Sequence, residues 1–305
     1  MIADMNTASI RSPFDVLGSY IFQAHRGGSD EVPENTLESM LYAWQFASAI
    51  PETDVRTLAD GTLVCIHDRT LERTAEAPEQ ISAKPVNELT IHDIQTADAG
   101  IRHGRQFKGF KVPKLGDLLA LMQGYPSRRL YLEIKDASIE AIAQMLNDYS
   151  TADRIIFIHA DEQRCAEIQE YLPGARTMTW CSGSASAIQT RFTALEQTHF
   201  HGLTQVQVHL HACESDGVIV SALPERFLRD ALRCTGELGV DFQVCMKPPS
   251  PMVLRWLIDM GVRWFVSDAP LAFTGMIRDA LCVTHAVKVL PMQAVVGGQS
   301  SEYLH

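Results

Sequence analysis

Short apolar runs alternate along the chain with longer stretches whose apolar residues recur at helical spacing. The runs predict strands at Ile21–Ala24, Ile50–Val55, Leu130–Ile134, Ile155–Ile158, Arg176–Thr179, Gln205–Val208, Asp241–Val244 and Trp264–Val266. The helical stretches are Leu37–Ala47, Leu115–Gln123, Ile139–Tyr149, Glu162–Tyr171, Ala185–Gln197, Pro224–Leu238 and Met252–Met260. Strand–helix alternation at this spacing implies parallel βα units. Eight such strands favour a closed (β/α)8 TIM barrel over an open doubly wound sheet, and no GxGxxG follows an early strand. The alternation breaks once. After the second strand comes TLADGTLVCIHD, where Asp60 and Gly61 between apolar runs signal a two-residue hairpin. Residues of about 68–113 then form a polar insertion, and residues of about 286–305 form a tail with no assigned role. The pattern predicts one domain over residues 1–305.

A chain of 305 residues suits one barrel of about 250 residues with extensions. A core of that size needs no disulfide staples. Seven cysteines, an odd number without CxxC spacing, read as free thiols in a reducing compartment, so a cytoplasmic location is expected. The opening stretch MIADMNTASIRSPFDVLGSY has neither a basic n-region nor an apolar h-region. No window reaches the roughly 18 consecutive apolar residues of a spanning helix. A net charge of −11 disfavours nucleic acid and anionic membrane as partners, and leaves room for a small anionic substrate wherever positive charge clusters locally. Composition sets no oligomeric state.

Candidate chemistry gathers at the strand ends. In QAHRGGSDEVPENT an apolar strand runs into His25 and Arg26, then two glycines and a turn, a layout that presents charge at a surface. In IPETDVR, Glu52 and Asp54 are two apart and face the same way on a strand. Adjacent carboxylates repel unless a cation sits between them, which makes a hard divalent ion such as Mg²⁺ or Ca²⁺ the natural ligand. A pair of solvated surface acids is the plainer alternative. If Asp60 and Gly61 are the two loop residues, Ala59 pairs with Thr62 and Asp54 with His67, so Glu52, Asp54 and His67 share one side. A bulge would shift that register. In LYLEIKD, Glu133 and Lys135 also share a face. A barrel gathers its strand C-termini at one mouth, where all seven of these residues would meet.

The ordered run AHRGG…PENT…ETDV…DG…HD…LEIK resembles the glycerophosphodiester phosphodiesterase family over about the first 135 residues, and MGVRWFVSDAP is similar to that family's last strand with its Asp-X-Pro end. The resemblance implies a TIM barrel that cleaves a small phosphodiester to an alcohol and a phosphomonoester. It implies His25 and His67 as the catalytic histidines, Glu52, Asp54 and Glu133 as holders of one divalent metal ion, and Arg26 and Lys135 as phosphate contacts. Asn35 falls in the family's site motif too, with helix capping by Asn35 or Thr36 as the alternative. Water and a neighbouring substrate hydroxyl are both open as nucleophile; the second gives a cyclic phosphate first. Where the family commonly carries Trp-Thr-Val-Asn on its seventh strand, this chain has FQVCMKPPSP, with Met246 or a neighbour at the aromatic position. Pro51 before Glu52 is also unusual. These departures concern the alcohol more than the phosphodiester chemistry.

Further pocket candidates lie on later strands. Gln205, Gln207, His209 and His211 alternate with Val206, Val208 and Leu210, a polar face that is odd for a barrel interior. Surface polarity on a misplaced strand is the alternative. Trp180 offers either a flat face for a sugar or ordinary packing. His159 and Lys247 end strands and join the list, while His92, His103, His199 and His201 read as loop or helix residues without a role. Polar strand ends suggest a hydroxyl-rich substrate, and the resemblance extends to hydrolases of agrocinopine-type sugar phosphodiesters. Two other readings stay open: a phospholipase D-like lyase on lipid headgroups, which needs an exposed apolar or basic face, and a non-catalytic phosphodiester-binding sensor.

Overall fold

The computed structural model describes residues 20–282 and 288–292. The chain forms, in order, β1 (Ile21–Ala24), α1 (Leu37–Ala43), β2 (Ala49–Thr57), β3 (Leu63–Cys65), α2 (Glu79–Ser82), α3 (Ile91–Gln95), α4 (Leu115–Gln123), β4 (Leu130–Ile134), α5 (Ile139–Asp148), β5 (Ile155–Ile158), α6 (Glu162–Tyr171), β6 (Arg176–Cys181), α7 (Ala185–Gln197), β7 (Gln205–Ser215), β8 (Val218–Ser221), α8 (Glu225–Glu237), β9 (Asp241–Lys247), α9 (Pro251–Met260), β10 (Trp264–Ser267), α10 (Pro270–Cys282) and β11 (Lys288–Pro291). Strands β1, β2, β4, β5, β6, β7, β9 and β10 pair in parallel in that order, and β1 closes on β10 with Ile21 opposite Trp264. This is a (β/α)8 TIM barrel. Among the described residues no helix is long and apolar enough to cross a membrane.

Period-two alternation sorts each strand into two faces. Outward residues such as Phe22, Val206, Val208, Val244 and Phe265 pack in the core beneath the helix layer, as do Leu130, Leu132 and Phe157 in a second cluster. Inward residues Ile21, Ile50, Tyr131, Ile156, Ile158, Met178 and Trp264 form an apolar floor inside the barrel. Above that floor the inward positions turn polar. Several helices start at a side-chain cap that the sequence supplies: Thr36 accepts from the Ser39 amide at α1, and Ser138, Asp161, Ser184 and Ser250 cap α5, α6, α7 and α9. Helix α1 stops at Ala43, short of the predicted Ala47. The amides of Gln45 and Phe46 donate to the carbonyls of Tyr42 and Ala43, a tight descent that brings Ala49 beside Phe22 in the sheet.

The β2–β3 hairpin differs from its predicted register by one residue. Thr57 pairs with Leu63 and Val55 with Cys65, and the Ile66 amide donates to the Asp54 carbonyl. The loop is therefore three residues, Ala59–Gly61, with Gly61 at φ +82°. The Gly61 amide donates to the Leu58 carbonyl at 3.0 Å, and this turn with its left-handed glycine adds the extra residue. Asp54 thus lies opposite Ile66 rather than His67. The insertion is polar in sequence yet has its own core: Leu71, Val86, Leu89, Ile94 and Ala97 pack with Val64 and Ile66 of the hairpin under α2 and α3.

Strand β7 runs beyond the barrel to Ser215 and turns back as β8. Part of the predicted tail joins this ribbon, since β11 pairs in parallel with β8. The rest of the tail and the opening stretch lie outside the described residues. The hairpin partner β8 and helix α10 were not predicted; α10 follows immediately on the last strand. All seven cysteines are unpaired.

Candidate active site

Strand register brings three carboxylates together. Asp54 on β2 is the parallel partner of Glu133 on β4, and Glu52 precedes Asp54 by two on the same face. One oxygen from each of Glu52, Asp54 and Glu133 lies within 4.8 Å of the others. Glu52 and Asp54 are fully buried. Glu52 Oε2 accepts the Arg26 amide at 2.7 Å, but Glu52 Oε1 is buried without a hydrogen-bond partner. Burial, then the charge of Asp54, holds the Glu52 carboxyl well above the usual carboxylate range. An oxygen-only donor set with an orphaned buried oxygen fits a hard divalent cation such as Mg²⁺ or Ca²⁺.

Cations line the same cluster. Lys135 Nζ lies 3.1 Å from Asp54 Oδ1 and also contacts Glu133 Oε1. Arg26 Nε is 3.6 Å from Asp54 Oδ2, and its Nη1 donates to Glu34 at 3.1 Å. Burial alone would depress the Lys135 ammonium, but Asp54 and Glu133 outweigh it and its pKa is raised. Asn35 is not the helix cap; Thr36 is. Asn35 takes the left-handed conformation, φ +55°, and clamps β2 instead. Its Nδ2 donates to Asp54 Oδ2 at 2.9 Å, and its Oδ1 accepts from Thr53 Oγ1 and the Asp54 amide.

Two imidazoles flank the acids. His25 sits in a 3₁₀ turn directly after β1, and its Nδ1 donates to Asp268 Oδ1 at 2.6 Å. Burial opposes its charged form, but the Asp268 hydrogen bond and the charges of Glu52 and Asp268 outweigh it, so the His25 pKa is raised. His67 follows the end of β3, past the ladder, so the register slip does not turn it away; its charge still acts on Asp54. His67 Nδ1 donates to Asp68 Oδ1 at 2.7 Å. Arg73 grips Asp68 through Nε and Nη2 and reaches Glu34 as well, and that contact first of all pulls the Asp68 carboxyl down to about 2. With Nδ1 engaged, each ring keeps Nε2 for other work.

The opposite wall comes from β6, β7 and β9. Gln205 and Gln207 are buried inside the barrel, so the alternating polar face of β7 is interior and not surface. Trp180 and His209 are half-buried on that inner face, and Lys247 is exposed at its rim. Met246 is buried in the helix-facing core, so Cys245 and Lys247 are the β9 residues that face inward near the mouth. His159 stands at the end of β5, its Nδ1 accepting the Asp161 amide at 3.0 Å. His92, His199 and His201 are exposed away from these groups, while His103 lines a cleft of about 190 Å³ with Ser29, Glu34, Arg73 and Arg102 beside the His25 turn. Glu34, Asp68, Arg73 and Asp268 were not assigned from sequence. HD and SDAP stood inside recognised motifs, but the partners of Glu34 and Arg73 are set by folding of the insertion.

The sequence model described as the glycerophosphoryl diester phosphodiesterase family matches residues 25–272. The glycerophosphodiester phosphodiesterase of Caldanaerobacter subterraneus subsp. tengcongensis is 30% identical over 156 residues, which cover 49% of this chain and 62% of the relative. The match thus spans less than two thirds of that relative's length. The crystal structure of glycerophosphodiester phosphodiesterase from Agrobacterium tumefaciens str. C58 has a TM-score of 0.65 at 24% identity, covering 84% of this chain and 99% of that one. An Oleispira antarctica phosphodiesterase in complex with the product sn-glycerol-3-phosphate has a TM-score of 0.67 at 21% identity, covering 88% and 100%. At these identities the two structures share their fold with this chain.

Proposed function

Because the chain belongs to the glycerophosphoryl diester phosphodiesterase family, we propose that it hydrolyses a small glycerol- or sugar-linked phosphodiester with the help of one divalent cation, Mg²⁺ or Ca²⁺. The observation that carries this reading is the convergence of Glu52, Asp54 and Glu133 within 4.8 Å, flanked by two aspartate-held imidazoles. The barrel, with residues 68–113 as its insertion, acts as one domain. Seven unpaired thiols support a reducing compartment such as the cytoplasm.

Glu52, Asp54 and Glu133 would hold the cation, which when bound supplies charge against the nonbridging phosphoryl oxygens. Arg26 and Lys135 carry further positive charge at the same place. His25 and His67 move the protons: one takes a proton from the attacking oxygen, the other gives one to the leaving alkoxide. Asp268 and Asp68 hold the rings so that Nε2 of each does this work. The attacking oxygen is that of water or of a neighbouring substrate hydroxyl.

The test is a panel of glycerophosphodiesters, agrocinopine-type sugar phosphodiesters and lysolipids, followed by phosphorus NMR, with metal removed by a chelator and then restored. Turnover of a soluble diester that is lost on chelation and regained with Mg²⁺ or Ca²⁺ is expected. Full activity in metal-free protein rejects the carboxylate assignment. Binding without turnover across the panel rejects hydrolysis in favour of a sensor, and turnover confined to lysolipids points to a headgroup lyase.

A further inference from the structure

Resting on that hydrolytic reading, we propose that His209 determines specificity: its Nδ1 accepts a hydrogen bond from the substrate hydroxyl remote from phosphorus, and a relay of side-chain amides holds that lone pair ready. The relay runs through the barrel interior and has one direction. It is anchored on the Phe265 carbonyl, which can only accept. Gln243 Nε2 donates to that carbonyl at 3.0 Å, so the other end of the amide, Gln243 Oε1, is an acceptor. It takes Gln207 Nε2 at 2.8 Å, and the same Nε2 also reaches Gln23 Oε1 at 3.3 Å. Gln207 Oε1 is then left facing His209 Nε2 at 2.9 Å. An amide oxygen only accepts, so the proton of His209 sits on Nε2 and Nδ1 is a bare acceptor. Among the described residues no group donates a hydrogen bond to that Nδ1.

The surroundings keep the ring neutral and open to the mouth. Burial first, then the charges of Lys247, His211 and His25, push the His209 pKa down to about 4, so the acceptor survives at working pH. His209 lies one inward step beyond Gln207 on β7, level with Cys245 on β9; on β6, half-buried Trp180 is level with Gln207. In barrel order β7 stands four strands from β2, directly across from the acid cluster. A diester with its phosphorus at the acids therefore extends its alcohol toward His209. A flat indole beside a fixed acceptor matches the C–H faces and O–H groups of a polyol. Among the described residues the inward positions of β6, β7 and β9 near the mouth carry Lys247 and no carboxylate; the nearest, Asp268, is hydrogen-bonded to His25 at the end of β10. This disfavours a cationic alcohol. The substrate class is a diester whose alcohol bears a free remote hydroxyl.

Two substrates isolate the contact. Methyl 1-glyceryl phosphate has the remote hydroxyl; methyl 2-hydroxypropyl phosphate keeps the neighbouring hydroxyl and lacks the remote one. His209→Phe keeps a ring and removes the acceptor. It is expected to lower kcat/KM on the first substrate about tenfold more than on the second, mostly through KM. Gln207→Leu, which leaves the ring free to change tautomer, is expected to show the same preferential loss. An equal loss on both substrates, or a preference that survives Gln207→Leu, overturns the proposal. A second measurement needs no turnover. The ring ¹⁵N spectrum of His209 is expected to show the Nε2–H tautomer, with the Nδ1 resonance shifting as sn-glycerol-3-phosphate is added. An Nδ1–H tautomer, a charged ring, or no shift at saturation overturns it. If the wild type turns over no diester, the hydrolytic reading fails, and the spectrum and titration still decide the role of His209.

Discussion

His25 and His67 are placed alike by unlike means. Each gives its Nδ1 proton to an aspartate, His25 to Asp268 at the end of the neighbouring strand β10 and His67 to its own neighbour Asp68, which Arg73 pins in turn. Nε2 of each ring is thereby left for other partners, which the proposed proton transfer needs. His25→Ala and His67→Ala are each expected to lower turnover about a hundredfold or more. Both are expected to leave circular dichroism and melting close to wild type, since both side chains are partly exposed. A variant that keeps near-wild-type turnover removes its histidine from the mechanism. These two histidines, like Glu52, Asp54 and Glu133, were picked out in the chain because they stand in or next to short apolar strands and within the motifs that carry the family resemblance. Asp268 was not assigned, because its partner lies 243 residues earlier and only barrel closure joins them.

At the scale of elements, turns decide how accurately the strand ends present their side chains. The turn after β1 puts Arg26 at φ 51° and Gly27 at φ +85°, which aims the Arg26 amide at Glu52. A Cβ on Gly27 would meet Ser39 Oγ at 2.5 Å and the Ser39 backbone carbon at 2.9 Å, whereas Gly61, also left-handed, has open space around it. Gly61→Ala is therefore expected to cost about 1 kcal/mol from backbone conformation alone and to leave kcat near wild type. Gly27→Ala adds a steric conflict with α1, for a total of about 2–4 kcal/mol, and displaces Arg26 from Glu52, with turnover falling about tenfold or more. Urea unfolding and steady-state kinetics check both. Equal stability losses in the two variants would show that the Ser39 contact is relieved at no cost. The hairpin carries a related lesson. Asp60-Gly61 correctly marked a turn, but the loop took a third residue and shifted the ladder by one, and His67 reaches the site only because it lies beyond the ladder.

The whole molecule is asymmetric about its axis. One half of the mouth, from β1, β2, β4 and the end of the β2–β3 hairpin, carries His25, Arg26, Glu52, Asp54, His67, Glu133 and Lys135, and the other, from β6, β7 and β9, carries Trp180, His209 and Lys247. Between floor and mouth runs a polar layer of Gln23, Gln205, Gln207 and Gln243, which the hydroxyl of the floor residue Tyr131 joins. Such a layer is stable only while its groups are partnered. Gln243→Leu orphans the Phe265 carbonyl and a Gln207 donor, and is expected to cost about 1–3 kcal/mol for each group left unpaired, read as a lower urea midpoint at unchanged slope. An unchanged midpoint would mean the layer contributes nothing to stability. By itself the sequence determined the barrel class, most strand and helix positions, and which acids share a strand face, because these follow from side-chain period, a local property of the chain. Only the tertiary structure decided which carboxylate holds which imidazole, how the hairpin registers, that the polar insertion has a core, and that the polar face of β7 points inward. Each of those is a choice among partners far apart in sequence, settled by closure of the sheet and by the need to pair every polar group that closure buries.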